Sequence, residues 1–67
     1  MSEKDYITLQ QALKKYGLVG TGGEAKLAIQ NGEVFVDGVV DIRRGRKLYG
    51  QEKVTYLNQS VIIDDDH

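Results

Sequence analysis

The segment from residue 21 to 40 constrains the fold of this 67-residue chain more than any other, and it reads TGGEAKLAIQNGEVFVDGVV. Its first four residues, Thr21 to Glu24, have the spacing of a helix capping box, and Gly32 is placed to end that helix. The apolar pattern then changes to alternation, and Asp37-Gly38 is a strong signal for a two-residue hairpin turn with positive φ at both positions. The segment predicts a short helix that leads directly into a β-hairpin.

The flanking segments predict one more helix and additional strands. Thr8 starts a second capping-box pattern, TLQQ, and Gly17 is placed to end a helix over about residues 9–16. Further strands are predicted at residues 6–7, 39–42, 53–57 and 61–63, with turns at 49–52 and 58–60. Together these elements predict an α+β fold, with two short helices packed on a small, mostly antiparallel sheet. Ala25, Ala28 and Ile29 are predicted to pack inward, and Leu27 to widen that apolar surface.

Length and composition limit the class of protein. A chain of 67 residues allows one domain, residues 1–67, with a core over about 8–57, a frayed stretch at 1–5 and an acidic tail at 64–67. The absence of cysteine excludes disulfides and thiolate metal sites, and favours a reducing cytosol. No apolar run is long enough to span a membrane, and the first residues lack the pattern of a secretory signal. We therefore expect a cytoplasmic monomer without a membrane partner.

Positive charge is concentrated in the middle of the chain, although the formal net charge is −1. Between Lys14 and Lys53 there are eight Lys or Arg against five Asp or Glu. Residues 43–47, here called the basic loop, contain four cations and no acid: Arg43, Arg44, Arg46 and Lys47. Arginine suits bidentate contacts to phosphate, so the basic loop is predicted to bind a phosphate backbone, with a solvated charged loop as the alternative.

Two glycines at the start of the second helix form another candidate contact. The backbone N–H groups of Gly22 and Gly23 are placed to donate hydrogen bonds to a phosphate at a helix N-terminus. The same glycines also satisfy a tight turn, and both interpretations stay open. Three lysines, Lys14, Lys15 and Lys26, either extend a basic patch or are ordinary helix surface.

One aromatic residue follows the basic loop closely. Tyr49 is two residues past Lys47, where an exposed ring is able to stack on an unpaired base. Tyr6 and Tyr56 are weaker candidates for such a contact. Tyr16 falls on the apolar face of the first helix, with Leu9, Ala12 and Leu13, and is predicted to lie in the core.

The order of these elements, with these residues, resembles the S4 RNA-binding domain. The resemblance rests on Thr21, Glu24-Ala25 and the stretch IQNGEVFVDG at residues 29–38, and it is supported upstream by Leu9, Leu13 and the Gly-Leu-Val at 17–19. It implies an S4-like fold with the family's αL motif, most similar to small stand-alone bacterial proteins. It also implies binding of structured RNA, usually ribosomal or transfer RNA, through the start of the second helix and nearby basic residues. Many members carry Arg directly after the helix cap, where this chain has Gly22.

Catalytic, cofactor and metal sites are not predicted. The glycines at 17–23 lack the Gly-Lys-Ser/Thr ending that a P-loop needs for its phosphate and magnesium contacts. The only histidine is His67, at the end of the Asp-Asp-Asp-His tail, and a terminal charge run of this kind is usually solvated. We expect no enzyme, no cofactor, no bound metal and no small-molecule substrate. RNA binding is the main prediction, and a protein-interaction adaptor or a DNA-binding protein are the alternatives.

Overall fold

A computed structural model describes residues 6–64 of the chain. The predicted frayed stretch at 1–5 and the last three residues of the predicted acidic tail lie outside this range. The elements follow the order β1 (Ile7–Thr8), α1 (Leu9–Lys15), α2 (Gly22–Gln30), β2 (Val34–Val36), β3 (Val39–Val40), β4 (Lys47–Leu48), β5 (Lys53–Tyr56) and β6 (Gln59–Ile62). The α+β class is confirmed.

Both helices begin at the predicted threonines. The Thr8 hydroxyl accepts from the Gln11 N–H at 3.2 Å, and the Gln11 side chain accepts from the Thr8 N–H at 3.0 Å, so the first capping box is complete. Thr21 accepts from the Glu24 N–H at 3.1 Å. The Glu24 carboxylate, however, accepts from the Gly20 N–H at 2.7 Å instead of closing the second box. α1 ends one residue earlier than predicted, with Tyr16 as its cap.

Four strands form one antiparallel sheet in the order β3-β2-β5-β6. The hairpin between β2 and β3 pairs Val36 with Val39, and its two turn residues, Asp37 and Gly38, have φ values of 54° and 85°. Positive φ at both turn positions confirms the hairpin predicted from Asp-Gly. β3 is shorter than the predicted strand at 39–42, because it ends at Val40.

The second hairpin of this sheet differs from the prediction. β6 begins at Gln59, and its turn consists of Leu57 and Asn58 rather than residues 58–60. Leu57 has a φ of 57°, which is unfavourable for a side chain of this size and is not signalled by the usual turn residues.

A separate two-stranded sheet joins β1 to β4, with Ile7 opposite Leu48 and Thr8 opposite Lys47. The predicted short strand near the N-terminus exists, although it covers residues 7–8 rather than 6–7. Lys47 was predicted to lie in a loop, which is wrong, because it is the first residue of β4. This pairing attaches the end of the basic loop to the strand that precedes α1.

The core lies where the two helices and both sheets meet. Its fully buried side chains of largest volume are Leu9, Leu13, Ile29, Leu48, Ile63, Val34, Val36 and Val54. Tyr16 packs against this cluster while its hydroxyl accepts from the Asp64 N–H at 3.0 Å. Leu27 does not contribute as predicted, since its side chain is 59% exposed. Neither helix within residues 6–64 has the length and apolar character that a membrane span requires.

Candidate nucleic-acid interface

The basic loop lies against the N-terminus of α1. The Leu9 N–H donates to the Arg46 carbonyl at 2.8 Å, and the Gln10 N–H donates to the Arg44 carbonyl at 3.2 Å. N–H groups in the first turn of a helix have no partner within the helix, so the carbonyls of the loop satisfy them. These bonds hold the loop backbone and leave its side chains available for other contacts.

The start of α2 is joined to the same place by one side chain. The Gln10 side-chain amide donates to the Gly22 carbonyl at 3.0 Å, while its backbone N–H is bonded to Arg44. Gln10 therefore contacts both the basic loop and the first residue of α2. The two segments predicted to bind phosphate, which are far apart in sequence, meet at one residue.

A buried carboxylate organises two cations of the basic loop. Asp41 is 5% exposed, and its two oxygens accept from the Arg43 side chain at 3.0 and 2.9 Å and from Arg46 at 2.8 Å. One of them also accepts the Arg43 backbone N–H at 2.9 Å. Sequence reasoning missed this role, because Asp41 precedes the loop and was assigned to a strand. The backbone N–H of Asp41 still bonds to the neighbouring strand of the hairpin, because it donates to the Val34 carbonyl at 3.0 Å.

The ion pairs perturb the titration of Asp41. Hydrogen bonds from the Arg43 side chain, and then from Arg46, hold the pKa of the Asp41 carboxyl well below its usual range, although burial acts to raise it. The same contact raises the pKa of Arg43. Both charges therefore persist across the physiological range.

The four cations of the loop differ in how far they are engaged. The Arg43 side chain is 70% exposed and the Arg46 side chain 30% exposed, and both bind Asp41. Arg44 and Lys47 are exposed, and within residues 6–64 neither forms an ion pair. The loop therefore presents two uncompensated cations beside two fixed guanidinium groups.

Aromatic side chains border the loop. The Lys47 ammonium lies 5.1 Å from the centre of the Tyr6 ring, and Tyr6 meets Tyr49 edge-on with 5.9 Å between ring centres. Tyr49 was a candidate from sequence, whereas Tyr6 was considered a weaker one. No local pattern signals this contact, because it depends on the pairing of β1 with β4.

The three lysines proposed from the sequence to extend the basic patch fall in two places. Lys26 is exposed and lies one helical turn after Gly22, on the same face of α2 as that residue. Lys14 and Lys15 are in the last turn of α1, roughly 10 Å along the helix from the end that contacts the basic loop. The Lys15 ammonium lies 5.6 Å from the centre of the Tyr16 ring. Lys26 is therefore one turn from the α2 residue that Gln10 contacts, and Lys14 is one turn after Gln10 itself on α1.

Other kinds of site are not found in the described part of the chain. Among residues 6–64 there is no group of three or more His, Cys, Asp or Glu side chains able to hold a metal ion. The same residues enclose no pocket.

Comparison with known proteins decides the family. The sequence matches the S4 domain family over residues 2–64, which is nearly its whole length. The chain belongs to the S4 domain family. Its α+β architecture agrees with that membership, as the resemblance implied.

Relatives of this S4 domain come from several bacteria. An Escherichia coli protein named "Putative RNA-binding protein YbcJ" is 33% identical over 63 residues, covering 94% of this chain and 90% of the relative. A Bacillus subtilis protein named "Probable ribosome maturation protein RlbA" is 45% identical over 47 residues, covering 70% of this chain and 66% of the relative. No solved structure matches this S4 domain.

Proposed function

We propose that this S4 domain binds structured RNA through a surface made of the basic loop and the start of α2. The observation that carries the proposal is the double contact of Gln10, whose backbone bonds to Arg44 and whose side chain bonds to Gly22. A folded RNA presents phosphates on neighbouring strands, and two adjacent cationic or N–H-bearing segments are suited to contact them together.

Different residues take different parts in this proposal. Arg44 and Lys47 supply exposed positive charge, while Arg43 and Arg46 keep guanidinium donors that Asp41 does not use. Lys26 and the N–H groups of Gly22 and Gly23 extend the surface along α2, and Lys14 and Lys15 extend it along α1. The protein acts by binding and performs no catalysis.

The names of the relatives support this choice of ligand. One relative is named for RNA binding and another for ribosome maturation. We therefore propose ribosomal RNA as the first candidate, with transfer RNA as the second.

A salt series tests the proposal. With about four phosphates neutralised, the logarithm of the binding constant for ribosomal RNA fragments should fall with the logarithm of salt concentration with a slope of about −3 to −4. The test variant changes Arg44 and Lys47 to Gln, since within residues 6–64 neither side chain has an ion pair to lose. Its slope should be shallower by about 1.5, for two phosphates fewer.

The matched control is Lys53→Gln, which removes one exposed charge from β5, in the other sheet. The control should bind like the wild-type protein. Equal binding by the wild-type protein and the Arg44/Lys47 variant would contradict the proposed surface.

An adaptor function is the second candidate, and one face of the large sheet favours it. Phe35 and Val40 are paired across β2 and β3 and are 39% and 46% exposed, and Ile62 on β6 is 52% exposed. This alternative predicts a stable protein partner and no salt-sensitive retention of RNA. Competition between duplex DNA and structured RNA distinguishes DNA binding from RNA binding, because phosphate contacts alone do not separate the two nucleic acids.

A further inference from the structure

Three side chains form an exposed cluster at the two-stranded sheet: Tyr6, Lys47 and Tyr49, here called the aromatic step. The two rings are 39% and 50% exposed and meet at an interplanar angle of 62°. The Lys47 ammonium lies over the Tyr6 ring at 5.1 Å, within the range of a cation–π contact. Tyr49 is the more exposed of the two rings.

Strand pairing determines where the aromatic step lies. Ile7 and Leu48 are opposite each other and buried, so the alternation along β4 directs Lys47 and Tyr49 away from the core. The step therefore follows the basic loop without a gap, since Lys47 belongs to both.

The backbone at Tyr49 is held in place. Its N–H donates to the Glu52 carboxylate at 2.9 Å, and the N–H of Gly50 donates to the same carboxylate at 2.7 Å. A ring whose backbone is already fixed loses little conformational freedom when a ligand stacks on it. Glu52 thus fixes the backbone from which the exposed Tyr49 ring projects.

We propose that the aromatic step receives an unpaired nucleobase of the RNA bound by the basic loop. This inference rests on the proposed function and narrows its ligand to RNA in which a helical region adjoins an unpaired nucleotide. A base within an A-form helix is stacked on both faces, so only an unpaired base is able to reach an exposed ring. Tyr49 provides the stacking face, and Lys47 holds the adjoining phosphate.

The neighbouring charges favour a nucleotide over an apolar protein segment as the occupant. The step carries a cation of its own, and the next residues along the chain towards its N-terminal side are Arg46 and Arg44, separated by a glycine. A nucleotide has both an anion and a flat ring, which match this arrangement. An apolar peptide would leave the cations without a partner.

The test compares two short RNA duplexes that differ only in a single bulged 2-aminopurine. The wild-type protein should bind the bulged duplex about 5- to 150-fold more tightly than the paired one, as expected for one stacked base. Stacking should also quench the 2-aminopurine fluorescence. Tyr49→Phe should keep both effects, whereas Tyr49→Ala should lower the affinity for the bulged duplex to that for the paired one and abolish the quenching.

Each outcome has a definite meaning. A preference for the bulge that survives in Tyr49→Ala, or a wild-type complex without quenching, overturns the aromatic step while leaving the proposed function intact. Failure of the wild-type protein to bind either duplex or ribosomal RNA overturns both. Because quenching is measured with the wild-type protein, the test does not depend on the folding of a variant.

Discussion

At the scale of single residues, Asp41 has two opposite effects on the basic loop. Its charge lowers the positive potential of the loop, while its hydrogen bonds fix Arg43 and Arg46 in position. Simple charge counting predicts that removing this acid strengthens binding to a polyanion. Geometry predicts the reverse, because a guanidinium that is already ordered loses less entropy on contacting phosphate.

The variant Asp41→Asn separates these effects. Its amide N–H₂ would face guanidinium donors, so we expect a loss of stability of about 1–3 kcal/mol. We also expect weaker RNA binding in spite of the added positive charge. Chemical denaturation and RNA titration at one salt concentration measure the two quantities. Tighter RNA binding would show that charge, and not position, is what Asp41 contributes, and unchanged binding would contradict the expected loss.

The pH dependence of that stability difference has a defined sign. The pKa of Asp41 is lowered in the folded state, mainly by Arg43, so the carboxylate contributes fully above the unfolded pKa of about 3.9. Its contribution is lost progressively as the pH falls below that value. The difference in unfolding free energy between wild type and Asp41→Asn should therefore be constant from about pH 5 to 7 and shrink below pH 4. A difference that grows on acidification would contradict the ion pairs.

Gly22 is the residue where this S4 domain lacks the Arg that many members carry. A Cβ at this position would lie 3.5 Å from the Gln10 side-chain nitrogen, which is an ordinary contact, so a side chain can begin here without a clash at its first atom. Gly22→Arg should bind RNA more tightly, with a salt slope steeper by about 0.7–0.9 for one more phosphate. Gly22→Gln is the control for side-chain length, and its slope should equal that of the wild type. Equal slopes for the Arg and Gln variants would place Gly22 outside the interface.

At the scale of elements, local signals account for what the sequence could predict. Thr8 and Thr21 begin the helices because each supplies a cap, and the Asp37-Gly38 turn adopts the positive φ values that its residues favour. These interactions span a few residues, so a single sequence contains them. The two helices and the first hairpin were therefore predictable.

The elements that were missed depend on distant partners. β4 has only two residues within a cationic stretch, and it exists because Leu48 is buried opposite Ile7. The turn at Leu57 contradicts ordinary turn chemistry and is imposed by the register of β5 and β6.

For the candidate site, the cations of the basic loop could be predicted from composition. The Asp41 ion pairs and the Tyr6 contact could not, because tertiary folding brings them together.

The link between α1, the basic loop and α2 leads to a prediction at this scale. Gln10→Ala removes the side-chain bond to Gly22 while leaving the backbone bond to Arg44. Stability should fall by about 1 kcal/mol, the usual value for one such bond, and RNA affinity should fall because the two proposed binding segments are no longer held together. Denaturation and RNA titration measure the two effects.

The neighbouring residue provides the control for this prediction. Gln11→Ala removes the capping-box bond to the Thr8 N–H and has a comparable effect on stability. It does not touch α2, so its RNA affinity should match that of the wild type. Equal losses of RNA affinity in Gln10→Ala and Gln11→Ala would mean that α1 stability alone controls binding.

At the scale of the whole molecule, the small size of the domain makes its stability sensitive to ligands. A domain of this length has a limited core and a modest free energy of unfolding. Part of that core, Leu48, is in the strand that carries Lys47, and part, Ala25, is in the helix that begins at Gly22. Binding at the proposed surface is thereby coupled to the folding of the entire domain.

RNA should consequently raise the melting temperature of the protein. At an RNA concentration about 100 times the dissociation constant, mass action adds about 2.7 kcal/mol to the unfolding free energy. For a domain of this size, that corresponds to a rise of about 10–20 °C. Proteolysis at increasing temperature follows unfolding without interference from RNA absorbance.

The rise in melting temperature should vanish at high salt and be smaller in the variant with Arg44 and Lys47 changed to Gln, because phosphate contacts supply the binding energy in the proposed complex. A rise that is independent of salt would show that apolar contacts, such as those of the exposed sheet face, dominate the complex instead.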